Sequence, residues 1–231
     1  MGAASAVRAR AVDLRHSALV RATHWITVVA FVALLLTGVE ILISHPRFYW
    51  GEAGNVHTPP LFKIPIPASR GSVPTGYGYT LPDQNGWSRY LHFEAAWLLV
   101  LTGLLYAGSS LMNGHVRRNL LPDRIDARAI TQHLRLARSD DASSYNSLQR
   151  ISYLAVIFVL FPLVIWTGLA MSPAIASAFP AVVSTLGGQQ SARTIHFFVS
   201  IALVLFLLVH IVMVWLTGFR RRMRAMITGR L

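Results

Sequence analysis

Residues 193–218 read RTIHFFVSIALVLFLLVHIVMVWLTG, and the fold follows from this stretch. It is an apolar run long enough to cross a bilayer as a helix, which takes about 20 residues. Inside it, His196 and His210 stand fourteen residues apart with no charged residue between them. That spacing is just under four helical turns, so both imidazoles leave nearly the same face, about 21 Å apart along the axis. The hydrocarbon core itself is roughly 30 Å thick. Imidazole is costly inside a membrane helix and marks a ligand or proton-relay position. One helix with a ligand near each side of a membrane predicts two stacked metal centres, and with them electron transfer across the bilayer.

Composition points to the same class. Apolar residues make up 54% of the 231 and charged residues 13%, with a mean hydropathy of +0.49, which is membrane-protein composition. Segments near 22–44, 92–112 and 150–172 join 195–218 as predicted spans. The expected fold is all-α, a four-transmembrane-helix bundle forming one domain over 1–231, with no room for a sizeable soluble domain.

The net charge of +12 resembles a nucleic-acid signal until its placement is read. Sixteen arginines fall on one side of the predicted spans: Arg8, Arg10, Arg15 and Arg21 before the first, seven between the second and third, and five after the fourth. Only Arg47, Lys63, Arg70, Arg89 and Arg193 fall on the other. The positive-inside rule makes both termini and the middle loop cytoplasmic and the 45–91 loop periplasmic. The basic excess thus predicts contact with lipid headgroups, with Arg220–Arg224 as a topology anchor, and no nucleic-acid partner.

There is no cysteine. That excludes disulfides, thiolate-held iron–sulfur clusters, Cys-ligated haem and covalent c-type attachment, so a redox cofactor must be held by histidine or methionine. The apolar run after Trp25 is longer than a signal-peptide core and has no small-x-small cleavage site behind it, so it reads as a retained first span.

Residues 45–91 hold seven of the eleven prolines, interleaved with Phe48, Tyr49, Trp50, Phe62, Tyr77, Tyr79, Trp87 and Tyr90. Proline and glycine at that density exclude a regular helix or central strand. The aromatics exclude a disordered linker. The segment reads as a long ordered cap with an interfacial aromatic belt, and equally as a docking surface for a soluble partner. Loop 113–148 is arginine-rich and reads as a surface connector with a short amphipathic helix near 127–138.

Of nine histidines, His16, His45, His57, His115 and His133 fall in loops or at helix ends, where a solvated imidazole needs no explanation. His24, His92, His196 and His210 fall inside apolar segments. Their depths pair. The first span runs outward and the fourth inward, so His24 and His210 share the inner half; His92 and His196 open their spans at the outer side. Two histidines at each of two depths is what bis-histidine haem ligation in a bundle requires. A closed six-coordinate iron of that kind transfers electrons and leaves no position for oxygen or substrate.

Arginine precedes three of these histidines by three residues: Arg21, Arg89 and Arg193. Positions i and i+3 share a helix face, so each guanidinium is placed to pair a haem propionate; anchoring at helix ends is the simpler role, above all for Arg21. Each span also carries a Thr-Gly pair, namely Thr37-Gly38, Thr102-Gly103, Thr167-Gly168 and Thr217-Gly218, which helix packing alone would explain. Pro162 should kink the third span. Glu40 and Glu94, the acids of the spans, lie close enough to the interface to be solvated. No residue set suggests acid–base or nucleophilic catalysis.

The chain resembles a known family through Thr23-His24-Trp25, Arg89-x-x-His92, Tyr145-Asn146-x-x-Gln149-Arg150, and Arg193-x-x-His196 with His210. It resembles the bacterial dihaem cytochrome b family, which includes the cytochrome b subunits of nickel–iron hydrogenase, formate dehydrogenase and thiosulfate reductase. It is also similar to prokaryotic cytochrome b561. The likeness covers all four spans. It implies two non-covalent b-type haems, the outer on His92 and His196 and the inner on His24 and His210. It further implies a multi-pass protein of the bacterial inner membrane that passes electrons between quinone and a periplasmic oxidoreductase, as a subunit rather than an enzyme alone. Tyr145, Asn146 and Gln149 become the candidate quinone-side residues, although they could equally cap the third span. The long first exterior loop looks more like members that accompany a soluble molybdopterin oxidoreductase. The alternative is a stand-alone b561-like quinone oxidoreductase acting on a small oxidant such as superoxide. It needs no docking loop.

Overall fold

Ser17 opens the first helix: its hydroxyl accepts the Val20 N–H at 3.3 Å, a side-chain N-cap. Helix α1 (Ala18–Ser44) then runs until Pro46, which disfavours helical backbone at His45. The computed structural model describes residues 17–55, 57–65, 73–74, 80–81, 85–112, 152 and 154–229. Beyond α1 come α2 (Asn85–Met112), α3 (Phe161–Met171), two short helices α4 (Pro173–Ala178) and α5 (Ala181–Ser184), α6 (Gln189–Leu216) and α7 (Phe219–Thr228). Helices α1, α2 and α6 are long and apolar enough to cross a membrane; Val156–Met171 is a shorter apolar helix.

Several expected boundaries move. α2 begins at Asn85 rather than 92, and α6 at Gln189 rather than 195. The early start of α6 has a remote cause, because the Gly51 carbonyl accepts the Gln190 and Ser191 N–H groups at 3.0 and 3.2 Å. Donors at a helix start that have no partner within the helix are thus satisfied from the segment that follows α1. α6 also stops at Leu216 rather than 218, since Gly218 adopts φ +102° and a new helix follows. The Thr217-Gly218 pair is therefore a break and not a packing contact. The arginine-rich tail is helical: α7 lies at the start of α1, where Arg21 Nη1 donates to the Ile227 carbonyl at 2.7 Å and Trp25 Nε1 to Met226 at 3.2 Å.

Pro162 does not break its helix. A π-helical turn, Val156–Leu160, precedes α3, and the Phe161 N–H reaches back to the Val156 carbonyl. A wider turn of this kind accommodates the donor that proline lacks.

Residues 47–63 include a short ladder that packs against α6. Two short antiparallel strands, β1 (Arg47–Phe48) and β2 (Phe62–Lys63), place Arg47 opposite Lys63 and Phe48 opposite Phe62. A second pair, β3 (Val73–Pro74) and β4 (Thr80–Leu81), follows. Phe48 stacks on Phe62 at 4.6 Å and meets Phe197 at 4.5 Å, fastening the first ladder to α6. Ser191 Oγ accepts the Gly51 N–H at 2.8 Å and Thr194 Oγ1 donates to the Tyr49 carbonyl at 2.7 Å. The far end of α1 thus meets the start of α6 while its beginning meets α7, so α1 and α6 are antiparallel.

α1 packs on α2, and α3 on α6. Among the described residues, the largest fully buried side chains are small and polar: Thr37, Ser44, Ser88, Thr167, Ser191 and Thr194. Large apolar residues such as Val29, Leu36, Leu101, Leu104 and Trp215 are exposed. Small interior residues and an apolar exterior suit a lipid solvent, in which close backbone approach holds helices together. A buried apolar cluster of Val156, Val164, Val199 and Leu203 joins the π turn and α3 to α6.

Candidate cofactor site

His92 and His196 each lie seven residues past the first residue of their helices, α2 and α6. Their rings face one another with centroids 6.3 Å apart and planes crossed at 59°. An imidazole nitrogen binds a metal at about 2 Å and lies about 1.1 Å from its ring centre, so two ligands on opposite sides of one metal have centroids about 6 Å apart. The observed separation meets that requirement.

A threonine from a neighbouring helix stands behind each ring. Thr37 Oγ1 lies 2.9 Å from His92 Nδ1 and 2.7 Å from the Ala33 carbonyl. Thr167 Oγ1 lies 2.9 Å from His196 Nδ1 and 2.8 Å from the Leu163 carbonyl. With each hydroxyl proton given to that carbonyl, Nδ1–H donates to the hydroxyl oxygen. That tautomer leaves Nε2 with a bare lone pair. Gly38 and Gly168, next in sequence, stand beside the rings: a Cβ at either would meet the facing Cε1 at 3.6 Å, an ordinary contact.

The two histidines line a cavity of about 980 Å³ bounded by α1, α2, α3 and α6. Phe31, Leu34, Val100, Phe161 and Leu203 make much of its wall apolar, while Arg47, Lys63, Arg89 and Arg193 all line it as well. Arg193 donates to the His45 carbonyl and lies over the Phe48 ring at 5.0 Å. The sequence marks Arg47 and Lys63 only as charges of the 45–91 loop; strand pairing brings them together at the cavity. Thr37 and Thr167 were legible only as half of a packing motif.

The other expected residues lie elsewhere. Arg21 belongs to the opposite end, bonded to Ile227. His24 takes Trp25 edge-on at 5.4 Å, and His210 stacks on Phe206 at 6.0 Å. The antiparallel course of α1 and α6 puts both at the end where α7 sits. Tyr145, Asn146 and Gln149, with His16, His115, His133 and the 113–148 loop, lie outside the described residues. Among the described residues there is no group of three or more His, Cys, Asp or Glu side chains that could hold a metal ion. A macrocycle that brings four nitrogens of its own needs only two protein ligands, and two facing histidines meet that need.

An apolar helical bundle with a two-histidine cavity at one end defines a membrane redox protein. The chain belongs to the prokaryotic cytochrome b561 family, whose model matches residues 15–229. It is 33% identical over 225 residues, 93% of this chain and 96% of the relative, to the "Putative protein-methionine-sulfoxide reductase subunit YedZ1" of Azospira oryzae. No solved structure matches it. The protein is accordingly a multi-pass protein of the bacterial inner membrane, a b-type cytochrome of electron transport.

Proposed function

We propose that the protein carries two b-type haems, the outer on His92 and His196 and the inner on His24 and His210, and passes electrons between quinone and a periplasmic oxidoreductase. The observation that carries this reading is the pair of facing imidazoles, 6.3 Å apart, on a cavity of about 980 Å³. When bound, the haems would supply one-electron redox chemistry. The chain's own residues do the rest. Thr37 and Thr167 present Nε2 of each outer ligand, and the largely apolar wall suits a macrocycle. Arg89 and Arg193, with Arg47 and Lys63 beside them, supply cations for the propionates. Arg21 pairs with the backbone of α7, which supports its role as an anchor rather than a propionate partner.

The likeness to a methionine-sulfoxide reductase subunit supports a periplasmic partner that reduces protein methionine sulfoxide, of the molybdopterin type expected from the exterior loop. Electrons would then run outward from quinol, with Tyr145, Asn146 and Gln149 as quinone-side residues. The test is haem stoichiometry of the purified chain and its histidine variants. Two haems per chain are expected, with His196→Ala losing one and His210→Ala losing the other, distinguished by midpoint potential. A single haem, or a His196→Ala variant that keeps both, refutes the proposal.

A further inference from the structure

The outer site is assembled from two equivalent half-sites. In each packed helix pair, the first helix carries Thr-Gly and the second carries Arg-x-x-His: Thr37-Gly38 faces His92 across α1 and α2, and Thr167-Gly168 faces His196 across α3 and α6. The distances repeat. Both hydroxyls lie 2.9 Å from Nδ1, and both glycines stand 3.6 Å, at the position of an added Cβ, from Cε1. Thr37 is 1% exposed and Thr167 0%, so neither hydroxyl exchanges its partner for water. Thr217, by contrast, is exposed, and its hydroxyl turns to the Met213 carbonyl of its own helix. A Thr-Gly pair alone therefore does not make the contact.

We infer that Thr37 and Thr167 are a matched pair of positioning residues that hold the two axial imidazole planes of the outer haem crossed at 59° and make both ligands more basic. This rests on the outer-haem reading above. An imidazole bound to a metal through Nε2 can still turn about that bond. The Nδ1–H···Oγ1 bond removes the freedom, because Nδ1 leaves the ring off the rotation axis and the hydroxyl is itself tied to a carbonyl one turn back. The same bond withdraws proton character from Nδ1 and strengthens the ligand, favouring ferric over ferrous iron. The plane angle governs the splitting of the iron d orbitals that point at the rings. Crossed planes leave those orbitals nearly degenerate and give a strongly anisotropic low-spin ferric signal; parallel planes give an ordinary rhombic one.

The test compares Thr→Val, which keeps shape and loses the hydroxyl, with Thr→Ser, which keeps the hydroxyl, at both positions of the full chain in detergent. The readings are electron paramagnetic resonance of the ferric protein and potentiometric titration, with the inner haem as internal reference. Thr37→Val and Thr167→Val should each turn the outer-haem signal toward the rhombic form. Each should also raise the ferrous-to-ferric ratio at a fixed potential by up to about tenfold, equivalent to 59 mV for one electron. Both serines should match the parent. Loss of the outer haem in a valine variant, with retention in its serine counterpart, supports the same role in stronger form. Serine and valine variants that behave alike, in either direction, overturn the inference. Failure of the outer-haem reading itself is separate: it shows as unchanged haem content in His92→Ala and His196→Ala.

Discussion

Gly188→Ala should cost far more than Gly38→Ala or Gly168→Ala, the glycines beside the outer-site rings. Gly188 has φ +112° and ψ 169°, backbone that is essentially open to glycine alone. Holding alanine there costs about 1–3 kcal/mol. The new Cβ would also lie 2.5 Å from the carbonyl carbon and oxygen of Gly51, so the 45–51 segment must withdraw. Withdrawal breaks the bonds from Gln190 N–H and Ser191 N–H to Gly51 and from Gly51 N–H to Ser191. Those three contribute about 1 kcal/mol each. The total is roughly 4–6 kcal/mol, felt at the first turn of the helix that carries His196. The assay is thermal loss of Soret absorbance in detergent, with the two haems resolved by potential. The outer haem should dissociate first and at a clearly lower temperature than in the parent, while the inner haem follows later. Gly38→Ala is the control, since its Cβ meets His92 Cε1 at an ordinary 3.6 Å. Equal melting of Gly188→Ala and Gly38→Ala would refute the reasoning.

Two further outcomes are expected. At Gly168, alanine should keep the outer haem, whereas leucine must force the His196 ring aside at an overpacking cost of about 1–3 kcal/mol, read as loss of one low-spin haem. Arg89 is exposed and lines the cavity, so Arg89→Leu should leave the helical content and melting of the chain within about 0.5 kcal/mol of the parent. Transfer of haem from it to an apo-globin acceptor should nonetheless speed up several-fold; an unchanged transfer rate would remove Arg89 from the propionate set.

The long spans and the four histidines within apolar segments are legible because each rests on a local signal. Apolar length marks a membrane helix, and imidazole inside one stands out against it. Helix starts were less legible for a specific reason: the donors of α6 are satisfied by the carbonyl of Gly51, far away in sequence, and no local capping residue announces them. The role of Thr37 and Thr167 was hidden by the phase between helices. Four Thr-Gly pairs look alike in sequence, yet two aim at a histidine and one ends a helix. Arg47 and Lys63 reach the cavity only because the stacked Phe48 and Phe62 hold their strands against α6. Arg21 shows the opposite case. Its three-residue spacing to His24 matches that of Arg89 and Arg193 to theirs, but a backbone carbonyl of α7 claims it.

The π turn at Val156–Leu160 has a consequence for the two ends of its helix. One extra residue in a turn advances every side chain beyond it by about 100°. Residues on either side keep the same period but count from different zeros. The half that holds Thr167 against His196 can therefore be aimed independently of the half near residue 152. Deleting one residue between 156 and 160 would merge the two counts and swing the ends about 100° relative to each other. A single helix thus presents two faces whose angular offset is set by one inserted residue.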